Sequence, residues 1–395
     1  MGDKKLRLLV ISDLHAIMED EEQSDSFLVF DSSGRSSFLD GFKKFVKESD
    51  LVPDVIICSG DVSNKGSPEA FQKIWNGLNV MKEELSVELL CVPGNHDLDS
   101  RLTKEGSFDQ KYQLQFAYPP FPDACHINNT QFWAWHWYHS KQSLFNAVLI
   151  NTSAYHGFSK EFARGRIAPK VTEKIGDHVE SESFEKKSIN LIICHHHPTR
   201  MEHVDSDSDY ESIDGGELFL ERIRKTNKGP WLVFHGHKHW PQVRSYGDDN
   251  STIIISSGSL SANIHSGIAD RATNTFCFIE VDLERTENTG NPSGRYKTFE
   301  WFSGYGWAPS KNSRMPQSGG FGSYKPPRVL ARTIKEKLEA DGVSFISVPE
   351  LGNDGVELLY YSPDKIERLI SELKALNISV TFDSEGGFDQ FGEAK

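Results

Sequence analysis

Short apolar runs alternate with longer segments of mixed polarity through the N-terminal part of the chain. The runs Leu6–Ser12, Asp54–Gly60 and Glu88–Gly94 are rich in Leu, Val or Ile and end in polar residues, which is typical of strands. Helices are predicted between them, over Phe38–Glu48 and Ser67–Glu84, and the second begins with a serine, a proline and an acidic residue. This order predicts parallel strands joined by right-handed crossovers.

The pattern changes after the third strand. Residues 102–146 interrupt the alternation and are predicted to be an insertion. The later strands follow one another with fewer helices between them, which favours a mixed or antiparallel second half of the sheet. These later strands are predicted over Ala147–Asn151, Ile189–Cys194, Trp231–Phe234, Ser251–Ser256, Thr275–Val281 and Tyr296–Trp301.

The C-terminal part of the chain differs in composition from the rest. Residues 307–327 are rich in Gly, Ser, Pro and Asn and are predicted to link a main domain over 1–306 to a small α/β domain over 328–395. In the small domain, helices are predicted over Val329–Ala340 and Pro363–Ala375, and strands over Val343–Val348, Gly355–Tyr361 and Ile378–Phe382. The chain as a whole is therefore predicted to have an α/β fold.

Charge and composition narrow the class of protein. The chain has 395 residues and a net charge of −14, which does not favour sequence-independent binding to nucleic acid or to an anionic membrane. The N-terminus lacks the apolar core of a signal peptide, and the apolar runs are too short to span a bilayer. Four of the five cysteines lie in apolar strand-like runs, as reduced core thiols do. We therefore expect a cytoplasmic protein.

A polar cluster directly follows five of the predicted strands. The clusters are Asp13-Leu14-His15, Gly60-Asp61, Gly94-Asn95-His96-Asp97, His195-His196-His197-Pro198 and Gly236-His237-Lys238-His239. Because ligands of open α/β sheets bind beyond the carboxyl ends of the strands, these side chains are expected to converge on one site. Carboxylate, imidazole and amide donors suit two divalent ions such as Mn, Fe, Zn or Ni, and a shared carboxylate bridges many such pairs. Gly60, Gly94 and Gly236 would allow close approach of the backbone.

The five clusters, in this order, resemble the D-x-H, G-D, G-N-H-D/E, H-x-P and G-H-x-H motifs of the calcineurin-like metallophosphoesterase superfamily. The resemblance covers roughly residues 6–305. The run Val92–Asp97 is most similar to the bacterial-type cyclic-nucleotide phosphodiesterase-like branch, whereas protein Ser/Thr phosphatases carry Asp-Arg in place of Asn64-Lys65. The resemblance implies a sandwich of mixed β-sheets flanked by helices, and a metal-dependent phosphoric ester hydrolase.

The resemblance also implies a role for most residues of the clusters. One metal ion would be held by Asp13, His15, Asp61 and His239, and the other by Asp61, Asn95, His196 and His237, with Asp61 as the bridge. His196 is preferred as the ligand from the histidine triple because it stands two residues before Pro198, and His195 and His197 are its rivals. His96 would contact the phosphate and protonate the leaving group. Manganese is the favoured metal.

For several residues near the clusters, the sequence leaves two interpretations open. Asp97 either hydrogen-bonds His96 as part of the catalytic apparatus or caps the following turn. Four further residues either orient the ligand imidazoles through hydrogen bonds or are simple neighbours. These four are His195, His197, His235 and Asn64. The aromatic residues over 132–138 either stack on a nucleobase or bury the insertion against the domain.

The predicted reaction is hydrolysis of a phosphate ester, leaning to a nucleotide-type phosphodiester, by a hydroxide that bridges the two metal ions. A nuclease and a phosphomonoesterase of the same chemistry are alternatives, and so is a scaffold that uses this fold only for binding. Basic and aromatic residues interleave over 301–335 and could follow a nucleic acid backbone, although a flexible linker is the preferred interpretation. The C-terminal domain is expected to bind a protein partner or a second copy of the chain.

Overall fold

The computed structural model describes residues 4–21, 25–100, 109–156, 164–201, 211–247, 251–264, 269, 272–312 and 315–393. The strands in these ranges are β1 Lys5–Ile11, β2 Ile17–Met18, β3 Val29–Phe30, β4 Val55–Cys58, β5 Glu88–Cys91, β6 Trp137–Lys141, β7 Phe145–Ile150, β8 Ile189–Ile193, β9 Trp231–His235, β10 Gln242–Tyr246, β11 Thr252–Ser256, β12 Thr275–Asp282, β13 Gly294–Phe302, β14 Gly306–Pro309, β15 Ser318–Phe321, β16 Phe345–Ser347, β17 Ile378–Phe382 and β18 Phe388–Glu393.

The helices alternate with the strands mainly in the first half of the chain. They are α1 Ser37–Glu48, α2 Pro68–Leu85, α3 Asp109–Gln115, α4 His126–Trp135, α5 Pro169–Glu180, α6 Gly216–Arg224, α7 Leu283–Thr289, α8 Pro327–Asp341, α9 Asn353–Leu358 and α10 Pro363–Ala375, and a single 3-10 helix covers Pro349–Leu351. Within the described ranges, no helix is long and apolar enough to cross a membrane.

The first large sheet has the strand order β14-β13-β12-β1-β4-β5, and β15 also pairs with β13. β1, β4 and β5 are parallel, as predicted, whereas β12 is antiparallel to both β1 and β13. In register, Ile11 lies opposite Cys58, and Cys58 lies opposite Cys91. The loops that follow β1, β4 and β5 therefore leave the sheet at the same edge.

The second large sheet has the order β10-β11-β9-β8-β7-β6. Its four central strands are parallel, and the two edge strands are antiparallel to their neighbours. Both sheets are therefore mixed, which confirms the mixed β-sheets that the family resemblance implies, whereas the strand order alone favoured one sheet with a mixed second half.

The insertion predicted over 102–146 is shorter than expected. Residues 101–108 lie outside the described ranges, α3 and α4 follow, and β6 already belongs to the second sheet. Trp137 and Tyr138 of this strand and Phe132 of α4 are buried. These positions support the interpretation that the aromatic residues bury the segment, and only Trp135 is largely exposed among those of α4.

The two sheets pack face to face. Leu8, Val10 and Ile57 of the first sheet share an apolar cluster with Leu191 and Leu232 of the second. The helices α1 and α2 cover the outer face of the first sheet, and α5 and α6 cover that of the second. Strands buried on both faces have nearly continuous apolar sequences, which is why their positions were predictable.

The stretch over 307–327, predicted as a linker without regular structure, carries β14 and β15 of the first sheet. Its glycines pack closely: a Cβ atom at Gly320 would lie 2.1 Å from the carbonyl oxygen of Leu359. The backbone N–H groups of Gly320 and Ser323 also donate hydrogen bonds to Tyr361 and Tyr360 of the C-terminal domain. The Gly-rich composition therefore reflects close strand and backbone contacts.

The C-terminal domain contains α8, α9 and α10 and a three-stranded sheet in the order β16-β18-β17. The strand predicted over Gly355–Tyr361 is wrong, because Asn353–Leu358 forms α9. Gly355 and Leu358 are the buried residues of α9, three positions apart, and a short apolar run does not distinguish this helical spacing from a strand. The strand β18 is not predicted by the sequence pattern, since Phe388–Glu393 contains three polar or charged residues among six.

Candidate metal centre

The polar clusters that follow β1, β4 and β9 are tied to one another by hydrogen bonds that backbone N–H groups donate. The N–H of Asp13 donates to the carbonyl of Gly60 at 3.0 Å, and the N–H of His15 donates to that of Asp61 at 2.9 Å. Across the two sheets, the N–H of His237 donates to the carboxylate of Asp13, at 3.0 Å from Oδ1. The loops at the carboxyl ends of both sheets therefore form one interlocked site, as the sequence predicted.

Five of the predicted ligands have a left-handed backbone conformation. The φ angles are 51° at Asp13, 46° at His15, 50° at Asp61, 76° at His237 and 53° at His239. Such a conformation is uncommon for residues other than glycine and costs on the order of 1–3 kcal/mol at each position. A concentration of this strain in one set of loops is typical of a functional site.

Glycines let the loops approach the ligand side chains. A Cβ atom at Gly94 would lie 2.1 Å from Asp61 Oδ1, and one at Gly236 would lie 2.3 Å from Asp13 Oδ2. Gly60 has a φ of +98°, and a Cβ there would lie 2.9 Å from the backbone nitrogen of Gly94. No other residue fits these positions without moving a neighbour, which agrees with the predicted role of the three glycines.

One group of donor atoms gathers around Asp13, His15 and His239. Nε2 of His239 lies 3.5 Å from Asp13 Oδ1 and 3.3 Å from Nε2 of His15. Nε2 of His15 also lies 3.4 Å from Asp61 Oδ2. These four side chains are the set expected to hold the first metal ion, and all are brought together.

A second group gathers around Asn95 and the histidines that follow β8 and β9. Oδ1 of Asn95 lies 3.0 Å from Nδ1 of His237 and 3.1 Å from Nε2 of His195. Ligand atoms of His195, His196 and His237 all lie within 4.8 Å of one another. Asp61 Oδ2 is 3.2 Å from Nε2 of His195, so this carboxylate lies between the two groups.

The donor set fits a pair of divalent cations. The Nδ1 atom of His196 is 2.9 Å from the hydroxyl of Thr152, while its Nε2 is buried and has no hydrogen-bond partner among the described residues. A buried polar atom without a partner is costly, and a cation would satisfy it. Nδ1 of His15 lies 3.3 Å from Oδ1 of Asn64, an acceptor, so the lone pair of the neutral ring is at Nε2, which faces Asp61.

The electrostatics place Asp61, His196 and His237 in the forms that bind metal. Burial opposes the charged form of Asp61, but the neighbouring His195, His96 and His15 hold the pKa of its carboxyl well below the ordinary value. Burial lowers the pKa of His237 to about 4 and holds that of His196 well below its ordinary value. Neutral imidazoles and ionised carboxylates are the metal-binding forms of these groups. Burial opposes the charged forms of His15 and His195, but the carboxylate of Asp61 raises the pKa of both, that of His195 to about 9.

His96 lies beside the first group and is held by two contacts. Its backbone N–H donates to Asp61 Oδ1 at 2.7 Å, and its ring Nδ1 lies 2.9 Å from Oδ1 of Asn64. The same amide oxygen accepts from His15, and the rings of His15 and His96 are 4.5 Å apart. Asn64 therefore orients a predicted ligand and the predicted acid together. Burial lowers the pKa of His96 to about 3.

Asp97 joins the loops that follow β4 and β5. Its carboxylate accepts hydrogen bonds from the N–H groups of Val62 at 3.1 Å, Ser63 at 2.6 Å and Gly94 at 2.8 Å. Burial and the nearby Asp61 raise the pKa of this carboxyl to about 6. The bonds come from these backbone groups and from the hydroxyl of Ser63 at 3.0 Å, and none is to the His96 ring. They favour the structural interpretation of Asp97 over the catalytic one.

His197 and His235 lie beside the ligand groups. The ring of His197 stacks on that of His237 with centroids 5.8 Å apart, and Nδ1 of His235 lies 3.0 Å from the carbonyl of Gly236. Burial lowers the pKa of His235 to about 3. Both side chains are packed against the ligand loops, whereas the third rival, His195, points its Nε2 atom among the donors.

Two residues at the site were missed in the sequence. Thr152 follows β7 and bonds His196, and its place just after a buried strand could have indicated it. Glu211 approaches Nε2 of His237 at 3.4 Å and also pairs with Lys238. It stands far from any predicted strand end, so no local pattern indicates it. Residues 202–210, which precede Glu211, lie outside the described ranges.

Comparison with known proteins gives two family matches. The family described as Calcineurin-like phosphoesterase matches residues 6–259, and the family wHTH-Calcineurin_assc matches residues 319–375. A cAMP/cGMP dual specificity phosphodiesterase of Mycobacterium tuberculosis is 33% identical over 97 residues, which are 25% of this chain and 29% of that protein. A protein of Moraxella catarrhalis named "Probable cyclic nucleotide phosphodiesterase" is 26% identical over 219 residues, or 55% of this chain and 65% of that protein.

The matched regions span less than two thirds of either relative. Among solved structures, a dimetal phosphatase from Danio rerio is similar with a TM-score of 0.47 and 12% sequence identity, over 79% of this chain and 99% of that one. The first family match covers more than half of the chain and contains every residue of the two donor groups. The chain belongs to the calcineurin-like phosphoesterase family.

Proposed function

We propose that the chain is a phosphoesterase that binds two divalent metal ions and hydrolyses a phosphate ester. The observation that carries the proposal is the position of Asp61, whose Oδ2 lies 3.4 Å from Nε2 of His15 and 3.2 Å from Nε2 of His195. One carboxylate thus stands between two groups of donor atoms. That is the arrangement of a bridging ligand in a two-metal hydrolase.

The proposed ligands are those of the family pattern. Asp13, His15, Asp61 and His239 would hold one ion, and Asp61, Asn95, His196 and His237 the other. When bound, the ions would lower the pKa of a water molecule and withdraw charge from the phosphoryl oxygens. Manganese is our first choice among Mn, Fe, Zn and Ni, because the donors combine carboxylate and amide oxygens with imidazole nitrogens.

His96 is the proposed proton donor to the leaving oxygen. The amide oxygen of Asn64 accepts from its Nδ1–H, so Nε2 is the atom that can exchange a proton with a substrate. Burial keeps the ring neutral in the ligand-free protein, with a pKa of about 3. The negative charge of a bound phosphate ester would raise that pKa, and proton donation then becomes available in the substrate complex.

We propose a nucleotide-type phosphodiester as the substrate. The support is that both relatives are named as cyclic nucleotide phosphodiesterases, together with the resemblance of Val92–Asp97 to that branch of the family. A nuclease is less favoured, because Lys325 and Lys335 of the basic stretch are paired with Asp354 and Glu339. A phosphomonoesterase and a non-catalytic scaffold remain outcomes of the test.

Location and partners are also proposals. A cytoplasmic location follows from the buried, unpaired state of four of the five cysteines. The C-terminal domain is proposed to bind a protein partner or a second chain. Over residues 328–393, acidic side chains outnumber those of lysine and arginine. This charge balance does not favour binding of this domain to nucleic acid.

A substrate panel tests the proposal. The manganese-loaded chain is offered 3′,5′-cyclic AMP, bis-p-nitrophenyl phosphate, p-nitrophenyl phosphate and single-stranded DNA under the same conditions. We expect the two small diesters to have the highest kcat/KM. Preference for the monoester or for DNA would overturn the substrate assignment, and no hydrolysis of any of the four by a chain with two bound metals would favour the scaffold.

A further inference from the structure

We propose that a cleft between the first sheet and the C-terminal domain binds an organic anion that carries one charged group on an apolar body. This interdomain cleft has a volume of about 850 Å³. One side is formed by β1, β12 and β13, and the other by the end of α9, by α10 and by the hairpin of β17 and β18. Small-molecule sites often have this volume and lie where two domains meet.

Polar contacts hold the C-terminal domain against the sheet at two separate points beside the cleft. The hydroxyl of Tyr360 donates a hydrogen bond to Asp282 Oδ2 at 2.6 Å. At the tip of the hairpin, the carboxylate of Glu385 lies 3.3 Å from Nζ of Lys297, and its backbone carbonyl accepts from the hydroxyl of Ser318 at 2.7 Å. The opening between these points is therefore part of the folded chain and needs no movement of the domain to form.

The floor of the interdomain cleft carries an excess of positive charge. Arg7, Glu280 and Arg295 lie side by side on three neighbouring strands, with Glu280 in the middle. The carboxylate of Glu280 is 2.9 Å from Arg295, 3.0 Å from Lys5 and 3.9 Å from Arg7. Because one carboxylate faces three cations, an anionic group placed on this row would be attracted by two further positive charges.

The acidic residues at the rim of the cleft do not take up these cations. The carboxylate of Asp383 accepts hydrogen bonds from the backbone N–H groups of Glu385 and Gly387, both at 2.8 Å, and Glu385 pairs with Lys297. Asp50 is exposed in the loop after α1, where solvent and salt screen its charge. The cations of the floor are therefore the charged groups available to a ligand.

The walls of the cleft are apolar and stay partly exposed although they face each other. Val52 is 63% exposed, Phe382 46% and Leu359 44%. The rings of Phe382 and Phe388 lie with centroids 5.3 Å apart. Apolar surface in a concave site is stabilised by about 25 cal/mol for each Å² that a ligand removes from water. The walls therefore favour a ligand with an apolar body, and the floor favours an anionic group on it.

The cleft lies away from the metal centre. Arg7 is near the amino end of β1, whereas Asp13 follows the carboxyl end, and the seven residues of this strand span roughly 20 Å. A ligand in the cleft is therefore separate from the substrate of the proposed reaction. Because the cleft is bounded by the sheet on one side and the C-terminal domain on the other, it suits a small molecule better than a protein surface.

Binding is tested with anilinonaphthalene sulfonate, a fluorescent anion with an aromatic body, added to the full chain. We expect saturable binding of one probe per chain. Laurate and naphthoate, which carry one carboxylate on an aliphatic or an aromatic body, should displace it. AMP and inorganic phosphate lack an apolar body and should be at least about 10-fold less effective. Absence of saturable binding, or displacement by AMP or phosphate at lower concentration than by both carboxylates, would overturn the inference.

Four variants with exposed side chains show whether the probe lies in the cleft. Arg295→Ala removes a cation of the floor and Phe382→Ser removes a ring of the wall, and each should weaken probe binding by about 10-fold. Arg35→Ala and Phe116→Ser are the matched controls outside the cleft and should bind the probe like the wild type. Wild-type affinity in both cleft variants, or an equal loss in the controls, would overturn the inference. The measurement is made without added metal, so its result is independent of the proposed reaction.

Discussion

A single amide oxygen holds two of the side chains on which the proposed chemistry depends. Oδ1 of Asn64 lies 2.9 Å from Nδ1 of His96 and 3.3 Å from Nδ1 of His15. The orientation of the amide is supported by its nitrogen, which lies 3.5 Å from the carboxylate of Asp25. In the proposed mechanism, proton transfer and metal binding would thus be coupled through one residue that is not itself a ligand.

Replacement of His96 should slow the reaction without emptying the site. In His96→Asn we expect two metals to remain bound, because the contact of His96 with Asp61 is made by its backbone N–H. The value of kcat should fall by about 10²–10⁴-fold, as for other proton donors. The loss should be greatest for diesters with poor leaving groups, measured across a series of aryl phosphates. Loss of metal in this variant would show that the assigned role is wrong.

Replacement of Asn64 should affect two properties together. Asn64→Ala removes the acceptor for both rings, so we expect metal affinity to fall by about 10–100-fold and kcat to fall as well. Asn76→Ala on α2, an exposed asparagine of the same chain, serves as the control and should change neither. Unchanged metal affinity in Asn64→Ala, measured by calorimetry, would contradict the positioning role.

The residues of the site could be predicted from the sequence to the extent that they follow strands. All seven proposed ligands come directly after buried strands, and the structure brings them together. The role of Asp97 could not be predicted from the sequence, because its carboxylate accepts hydrogen bonds from Val62 and Ser63, which lie in another loop. The choice within the histidine triple depends on side-chain direction, which a strand-end motif does not give.

At the scale of elements, the loops after β4 and β5 depend on close packing of Gly94 against Asp61. A Cβ at Gly94 would lie 2.1 Å from Oδ1 and 2.4 Å from the backbone nitrogen of Asp61. The second contact is to backbone, so it cannot be relieved by a side-chain rotation. Two loops with this little space between them must move as one unit.

The variant Gly94→Ala should therefore destabilise the chain and weaken metal binding. We expect the free energy of unfolding to fall by about 1–3 kcal/mol, as for other overpacked sites, measured by urea denaturation. Gly41→Ala in α1 is the matched control, because a Cβ there has no atom within 4 Å. This helical substitution should raise stability by about 0.5–1 kcal/mol. Wild-type stability and metal affinity in Gly94→Ala would contradict the packing argument.

Elements buried on both faces were predicted well, and exposed or polar ones were not. The parallel strands β1, β4 and β5 were predicted with starts and ends within a few residues, because their apolar runs are continuous. In contrast, β14, β15 and β18 were missed, since Gly and polar residues there are set by tertiary contacts such as the approach of Gly320 to Leu359. Tertiary packing overrides local propensity at such positions.

At the scale of the whole molecule, the proposed metal site joins the two sheets. Asp13, Asp61 and Asn95 follow strands of the first sheet, and His196 and His237 follow strands of the second. Bound metals would therefore connect the two halves of the sandwich. Ligands that bind only the folded chain raise its stability by mass action.

Removal of metal should lower the melting temperature. At a free metal concentration about 100 times Kd, each site contributes roughly 2.7 kcal/mol. We expect a chelator to lower Tm in calorimetry and added Mn²⁺ to restore it. The Tm of Asp61→Ala should respond to neither, whereas that of the exposed helical variant Asp40→Ala should respond like the wild type. A wild-type Tm that does not change with metal would contradict a site that joins the sheets.

The most direct test of the central claim is the metal content and diesterase activity of the wild-type chain beside those of Asp61→Ala. The account predicts two manganese ions per chain and hydrolysis of bis-p-nitrophenyl phosphate in the wild type. In Asp61→Ala it predicts loss of both ions and a fall in kcat/KM of at least about 10³-fold. Two ions still bound to Asp61→Ala, or a metal-free wild-type chain with full activity, would contradict it.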